Sequence, residues 1–312
     1  MGSIQNFQSG SSIFGIPGSY SGGVACAVAN MPVSGNIFYV ENSTLMTGAD
    51  DIGTNGQSPL TPFKTINYAF TQCAANNGDV IVVGPGHTEA VKAAGGITAG
   101  VAGVTVIGVG FGTTRPSITL STATTATVKI TAANVTFKNL YFDGTGIDAV
   151  AKIFDVQAAG FCMDTCEVYF AKSGAVAIKG LVVDTAAHAN NLSINNCYIH
   201  GDAAANCTNF VQLVGGDSVR ITHNIIHGNF TTSLGCVNNI TAALTNCLID
   251  NNRLLNLTAS STKAVVLLTG STGSITNNRL QILSGTAPVT ADGCMWSGNY
   301  YAATIATAGT LL

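Results

Sequence analysis

The chain has 312 residues, of which 46% are hydrophobic and only 9% are charged, and its net charge is −3. A soluble domain usually carries about 25% charged residues, so this surface has to be built from Thr, Ser, Asn, Gly and Ala. The 12 basic residues are scattered and outnumbered by 15 acidic ones, which argues against binding of nucleic acid or of an anionic membrane.

Residues 1–36 form a segment with no charged side chain and no strand repeat. It lacks the basic region and compact apolar core of a secretory signal, so no standard export route is visible. Disordered tails are usually charged and poor in apolar residues. We therefore favour an anchoring arm that lies on a neighbouring subunit or another protein over a disordered tail. The apolar residues expected to make that contact are Ile4, Phe7, Ile13, Phe14, Ile16 and Tyr20.

Residues 37–78 are predicted to hold a strand, IFYVENS, a Gly/Asp-rich loop and one amphipathic helix over 61–78. Thr61 suits the N-cap and Pro62 the first helical position, while Gly78 is expected to end the helix. Because a solenoid exposes an apolar end that has to be covered, this helix is expected to cap the coils that follow.

Residues 79–301 repeat one phrase with a period of about 27 residues. The phrase is clearest in LSINNCYIHGD (192–202) and VRITHNIIHGN (219–229). Its units are short β-branched and aromatic runs separated by Gly, Asn, Asp and Ser, which is typical of strands and turns. The chain is therefore predicted to be all-β, a right-handed, single-stranded parallel β-helix of about nine coils. Residues 302–312 remain as an uncharged C-terminal tail.

Asparagines recur at one place in the phrase, and residues at a fixed place in each coil lie above one another. Asn accepts a left-handed backbone at a tight bend, and stacked Asn amides can also bond to each other. We expect a structural ladder in preference to a ligand site. Its predicted members are Asn139, Asn196, Asn224, Asn252 and Asn278.

The nine cysteines are odd in number and match no zinc-binding spacing. Several lie in the strand repeats, where Cys behaves as a small buried hydrophobe. We predict reduced core thiols in preference to a disulfide framework, and no metal site.

A family resemblance rests on NIFYVENS, GQSPLTPFKTINYAF and NNGDVIVVGPGHTEAV. These stretches resemble the opening segment of the pectate-lyase-like parallel β-helix superfamily. The longer arrangement, with AGVTVIGVGFGTTRPSITL and then the Asn-rich coils, resembles virion proteins of tailed bacteriophages. The resemblance covers residues from about 36 to 300 and is more specific for fold than for function. It implies a virion component, commonly a homotrimer.

An enzyme of this shape needs a cluster of carboxylates on one face. The only Asp-Asp pair, Asp50–Asp51, precedes the coils, so we predict no catalytic residue and no cofactor. The remaining candidates are a patch of His200, Asp202 and His227, suited to a metal or to proton transfer. A structural role in filling a turn is favoured for that patch. His87 and Glu89 could likewise form an acid–base pair, but anchoring of a turn is favoured.

The first functional hypothesis is a trimeric bacteriophage capsid decoration or head spike at the particle surface, assembled in the host cytoplasm. Its N-terminal arm would hold the major capsid protein or another virion protein. The alternatives are a tailspike-type polysaccharide depolymerase and a non-catalytic spike that binds a host surface glycan. The aromatic residues available for glycan binding are Tyr141, Tyr169, Tyr198, Trp296, Tyr300 and Tyr301. For the first three, an internal stack is favoured over an exposed one.

Overall fold

A computed structural model describes residues 34–44, 46–51, 53, 55–172, 175–176, 179–201, 206–230, 234–258, 261–284, 289–290, 293–302 and 310–311. The six apolar residues of the expected anchoring arm, Asp202 and most of the C-terminal tail lie outside this part of the chain.

The described residues form an all-β parallel β-solenoid of about seven turns, which confirms the predicted parallel solenoid. Successive turns add strands to three long sheets, which we call sheets A, B and C. Sheet A has ten strands: Ile37–Val40, Val80–Val83, Thr105–Gly108, Thr136–Lys138, Cys162–Asp164, Ser193–Asn195, Arg220–Thr222, Cys247–Asp250, Gly273–Thr276 and Cys294–Ser297.

Sheet B runs beside sheet A and has twelve strands. In order they are Thr88–Val91, Ser117–Leu120, Tyr141–Asp143, Glu167–Lys172, Tyr198–Gly201, Ile225–Phe230, Arg253–Asn256, Arg279–Gln281, Tyr300–Ala302 and Thr310–Leu311, with Ala175–Val176 and Asn206–Cys207 attached at the side. Sheet C has eight strands: Ala94–Ala99, Thr127–Ile130, Phe154–Val156, Lys179–Val183, Asn209–Leu213, Val237–Asn239, Val265–Val266 and Val289–Thr290. Gly216–Asp217 pairs with Leu244–Thr245, and 3-10 turns span Gly112–Thr114 and Ala186–Ala189.

The core runs along the inside of the three sheets, because alternate strand residues point inward and stack on their counterparts in the next turn. In sheet B the inward column contains Phe142, Val168, Ile199 and Ile226, all fully buried and in register. Phenylalanines fill the middle of the rod, and the rings of Phe142 and Phe154 meet edge to face at 4.7 Å. The core is therefore continuous from turn to turn.

Single residues with a left-handed backbone flank the strands of sheet A. The bend before a strand is made by Asn134, Gly160, Asn191, Ser218 and Asn246, and the bend after it by Asn139, Thr165, Asn196, His223 and Asn251. Asn dominates because its short polar side chain tolerates this conformation better than most others.

The predicted asparagine ladder occupies two neighbouring positions. Asn139 and Asn196 make left-handed bends, and Asn196 is exposed. Asn224, Asn252 and Asn278 come one residue later in the turn, are buried, and continue into Asn299. The side-chain oxygens of Asn252, Asn278 and Asn299 each accept the backbone and amide N–H groups of the Asn one turn earlier, at 2.9 and 3.0 Å. The oxygen of Asn224 accepts the Cys197 N–H at 2.9 Å.

The predicted helix is shorter than expected and spans Ile66–Gln72. Thr61 and Pro62 lie before it, because the chain there is held by bridges from Ser58 to Thr61 and from Val40 to Phe63. Thr65 is the N-cap, and its hydroxyl oxygen accepts the Tyr68 N–H at 3.1 Å. The helix ends at Gln72, with Cys73 as its C-cap, well before Gly78, and it buries Ile66, Ala69 and Phe70 against the core.

None of the eight described cysteines forms a disulfide with another described cysteine, and six of them are buried. Burial raises the pKa of the Cys166 thiol to about 12, because the thiolate loses its hydration, and it raises the pKa of Cys207 and Cys236 as well. These thiols are therefore protonated at neutral pH.

In the native protein, iodoacetamide is expected to leave Cys166, Cys207 and Cys236 unmodified, since the thiolate is the reactive form and the sulfurs are inaccessible. All three are expected to react fully once guanidinium unfolds the chain. Peptide mapping by mass spectrometry measures both states. Modification of Cys166 under native conditions at the rate of a free thiol would contradict this burial.

Candidate ligand-binding surface on sheet B

The outward face of sheet B carries two parallel columns of mostly polar and aromatic side chains. Both columns alternate with the buried column of Phe142, so they point away from the core. The first column, in register, is Tyr141, Glu167, Tyr198, Ile225, Arg253, Arg279 and Tyr300. The second is Asp143, Tyr169, His200, His227, Leu255 and Gln281. We call this face the sheet B surface.

His200 lies at the centre of the sheet B surface between two tyrosine rings. Its ring stacks on Tyr169 at a centroid distance of 4.7 Å and on Tyr198 at 4.4 Å, with interplanar angles of 12° and 18°. Its Nε2 lies 3.1 Å from Glu167 Oε1, and Glu167 Oε2 accepts a hydrogen bond from Arg115 Nη1 at 2.9 Å. Arg115, Glu167 and His200 thus form a hydrogen-bonded chain that fixes the histidine ring.

His227 lies one turn further along, directly in register with His200. The two imidazole centroids are 5.9 Å apart, and His227 Nε2 lies 3.1 Å from the Tyr198 hydroxyl. Burial lowers the pKa of His227, and the neighbouring His200 and Arg253 lower it further. A neutral His227 with its proton on Nδ1 accepts the Tyr198 O–H at Nε2.

We expect His227 to make the fold sensitive to mild acid. Its pKa is below the ordinary 6.5 in the folded state, so the unfolded state binds more protons as the pH falls from 6.5 towards the folded pKa. The contribution of His227 to stability is therefore fully present above pH 6.5 and decreases below it. Urea unfolding at about pH 7.5 and about pH 5.5 should show a smaller drop for His227→Gln than for the native chain.

Met295, which is exposed on sheet A and carries no titratable group, provides the control for this prediction. Met295→Ala should retain the full acid sensitivity of the native protein. An equal drop for His227→Gln and the native chain would show that other groups carry the acid sensitivity.

The sequence identified His200 and His227 but missed Glu167 and Arg115. Glu167 follows Cys166 as Tyr198 follows Cys197, so an alignment of the repeats would have placed it in the first column. Arg115 comes from the connection between sheets A and B, where the repeat gives no signal. Its Nε is buried without a hydrogen-bond partner among the described residues.

The tyrosines do not form the internal stack that the sequence favoured. Tyr141, Tyr169 and Tyr198 lie on the outward face because the alternate residues Phe142, Val168 and Ile199 fill the core. Tyr198 is 41% exposed and is the most accessible of the three. Burial and the nearby Asp143 and Glu167 raise the pKa of Tyr141, which keeps that phenol neutral.

The C-terminal part of the sheet B surface contains a shallow pocket of about 160 Å³. Arg253 and Arg279 are exposed, in register, and line it together with Gln281 and Tyr300. Tyr300 is 54% exposed, whereas Tyr301 is largely buried and Trp296 packs partly against the core. The surface thus offers aromatic rings for stacking and cationic groups for hydrogen bonding.

His87 and Glu89 lie apart from this surface, inside the first turn. Glu89 shares the inward register of Ile118 and Phe142, and His87 is fully buried. Glu89 Oε2 lies 3.3 Å from His87 Nε2 and accepts the backbone N–H of Ile66 at 2.9 Å. The pair therefore joins the start of the helix to the turn at Pro85 and Gly86.

Among the described residues, no group of three or more His, Cys, Asp and Glu side chains is arranged to hold a metal ion. Their one α-helix, Ile66–Gln72, is far too short to cross a bilayer, and the described chain contains no other candidate span. Comparisons with protein-family models, with curated proteins and with solved structures found no match to this chain.

Proposed function

We propose that the chain is a non-enzymatic structural protein of a bacteriophage virion, a homotrimeric capsid decoration or head spike. The N-terminal arm attaches it to the major capsid protein or to another virion protein. The observation that carries this proposal is the buried amide ladder from Asn224 to Asn299. It stabilises the rod with neutral hydrogen bonds that salt does not screen, which suits a particle exposed to changing media.

The proposal includes the handedness of the solenoid, its number of turns and its cap. The solenoid is right-handed, as parallel crossovers almost always are, and consists of a single chain per rod. Incomplete turns at both ends bring the count to about nine, in keeping with the ten strands of sheet A. The helix Ile66–Gln72 covers the first turn with Ile66 and Phe70, so it acts as the N-terminal cap.

The bonding of two acids on the sheet B surface supports a role without glycan cleavage. Glycosidases need two carboxyl groups that flank the scissile bond. Glu167 is instead bonded to Arg115 and His200, and Asp143 accepts hydrogen bonds from the Thr145 N–H and hydroxyl. Both acids are engaged in fixing local structure.

Electron microscopy of intact particles with a C-terminal tag on this chain tests the proposal. Label spread over the icosahedral head is the expected result. Label confined to the tail tip would overturn the decoration role and direct attention to glycan cleavage by the depolymerase alternative.

Deletion of residues 1–33 tests the anchor. The deletion keeps Asn36, whose N–H donates to Asp79 Oδ1 at 2.6 Å, and so spares the contact that ties the first strand to the rod. Analytical ultracentrifugation should show a folded trimer, and the trimer should no longer join particles. A truncated protein that still decorates particles would contradict the anchoring role.

A second candidate function, glycan binding without cleavage, is favoured by the exposed rings of Tyr198 and Tyr300. Aromatic faces bind the apolar faces of sugars, and the neighbouring Arg253 and Arg279 supply hydrogen-bond donors. Saturable binding of host polysaccharide should be lost in Tyr198→Ala and retained in Tyr198→Phe. Met295→Ala is the control, because Met295 is 61% exposed on sheet A. Equal binding by all variants would exclude this surface.

A further inference from the structure

A separate apolar pocket of about 270 Å³ lies at the beginning of the rod, outside sheet A. Its floor is the outer side of the first strands, where Tyr39 and Val82 belong to a small apolar cluster distinct from the main core. The loop after the first strand covers this side. The apolar walls include Tyr39, Met46, Pro59, Pro62, Val82 and Val109.

One carboxyl group lines this pocket. Glu41 is only 8% exposed, and its Oε1 has no hydrogen-bond partner among the described residues. A carboxyl group buried beside an apolar cavity is unfavourable for folding unless it is paired, so this arrangement favours a ligand that brings a hydrogen-bond donor to the Glu41 carboxyl group. Gly84 leaves room for the carboxyl group, since a Cβ at that position would overlap Glu41 Oε2.

The charge of the lining defines the ligand further. Among the described residues that line the pocket, Glu41 is the only ionisable acid or base apart from the weakly acidic Tyr39 phenol. The nearby His87 is fully buried, and its Nε2 lies 3.3 Å from Glu89 Oε2. The pocket is thus complementary to a positive charge attached to a hydrocarbon, and unsuited to an anion.

We propose that this pocket binds a small organic ammonium ion, a primary amine with an apolar body. The ammonium group donates to the Glu41 carboxylate in a charge-assisted hydrogen bond, and the hydrocarbon fills the space between Met46, Pro59 and Val109. This site is independent of the proposed virion role and of the sheet B surface.

Protonation of Glu41 adds a pH signature. Burial raises the pKa of Glu41, while the Ser43 hydrogen bond and the nearby His87 oppose that shift. The ammonium ion requires the ionised carboxylate, so its affinity increases as the pH rises through the Glu41 pKa and then becomes constant. Bound ammonium in turn lowers the Glu41 pKa.

Isothermal titration of the full chain with benzylamine, benzyl alcohol and toluene tests the proposal. At neutral pH benzylamine should bind at one site, about tenfold or more tighter than benzyl alcohol. Glu41→Gln should abolish this preference and leave the affinity for benzyl alcohol unchanged. Glu167→Gln, on the sheet B surface, is the matched control and should bind benzylamine as the native chain does.

A second readout needs no variant. Carbon-13 NMR of the Glu41 carboxyl should show a lower pKa in the presence of benzylamine than in its absence. Equal affinities for benzylamine and benzyl alcohol, or an unchanged Glu41 pKa in saturating benzylamine, would overturn the proposal. Either result would leave the virion role untouched, because particle attachment is measured separately.

Discussion

Replacing Asn252 with alanine is expected to lower the free energy of unfolding by about 4 kcal/mol. The Asn252 side chain accepts the Asn224 backbone and amide N–H groups, and its own amide donates to Ile221 O at 2.7 Å and to Asn278 Oδ1 at 3.0 Å. Alanine removes all four bonds and leaves buried partners unsatisfied. Chemical denaturation followed by circular dichroism measures the loss.

Two further variants distinguish the effect of the amide hydrogen bonds from the effect of side-chain volume. Asn252→Asp keeps the shape but places an acceptor opposite Ile221 O and Asn278 Oδ1, so it should be at least as destabilising as alanine. Asn195→Ala is the control on a half-buried Asn that bonds to Ser193 and Thr222, and it should cost about 1 kcal/mol or less. Equal losses for Asn195→Ala and Asn252→Ala would show that the ladder has no special role.

Replacing Phe142 with alanine is expected to destabilise the fold by a similar amount, about 4 kcal/mol. The side chain is fully buried between Phe137, at a centroid distance of 5.9 Å, and Phe154, at 4.7 Å. Alanine leaves a cavity inside stacked turns whose backbones are fixed by their ladders, so the cavity cannot collapse fully. Both urea and thermal unfolding measure this loss.

Phe111 offers the matched control for this prediction. Its ring is 80% exposed, so Phe111→Ala should change the free energy of unfolding by about 0.5 kcal/mol or less. A loss for Phe142→Ala as small as that of Phe111→Ala would mean that the phenylalanine core is not packed as described.

The solenoid could be predicted because each turn repeats the same strand and bend residues, as in 192–202 and 219–229. The number of turns was harder, since among the described residues sheet A has ten strands and sheet C has eight. A strand at either end of the rod can therefore be counted as a turn without completing one.

The ladder could be predicted only to within one position. Asn-Asn pairs such as Asn251–Asn252 place a left-handed bend beside a buried amide, and the sequence does not distinguish the two. At Asn139 and Asn196 the following residue is Leu140 or Cys197, so the buried place holds no amide there. A shift of one residue moves a side chain between solvent and core, which a period of about 27 cannot resolve.

The candidate site on sheet B could likewise be predicted only in part from the sequence. His200 and His227 could be aligned because both follow the same phrase, whereas Arg115 reaches Glu167 from a connection that does not repeat. Glu41 gave no signal in the sequence. Its isolation becomes evident only when the loop after the first strand folds over sheet A and encloses it.

The paired left-handed bends have a consequence for how this protein can change in length. They stand five residues apart in turn after turn, at 134 and 139, 160 and 165, 191 and 196, 218 and 223, and 246 and 251. An insertion between the two bends would shift the register of sheet A, whereas one elsewhere in the turn only enlarges a connection. Whole segments from one bend to its counterpart are therefore interchangeable units. Duplication or loss of such a segment would lengthen or shorten the rod in steps of about 4.8 Å.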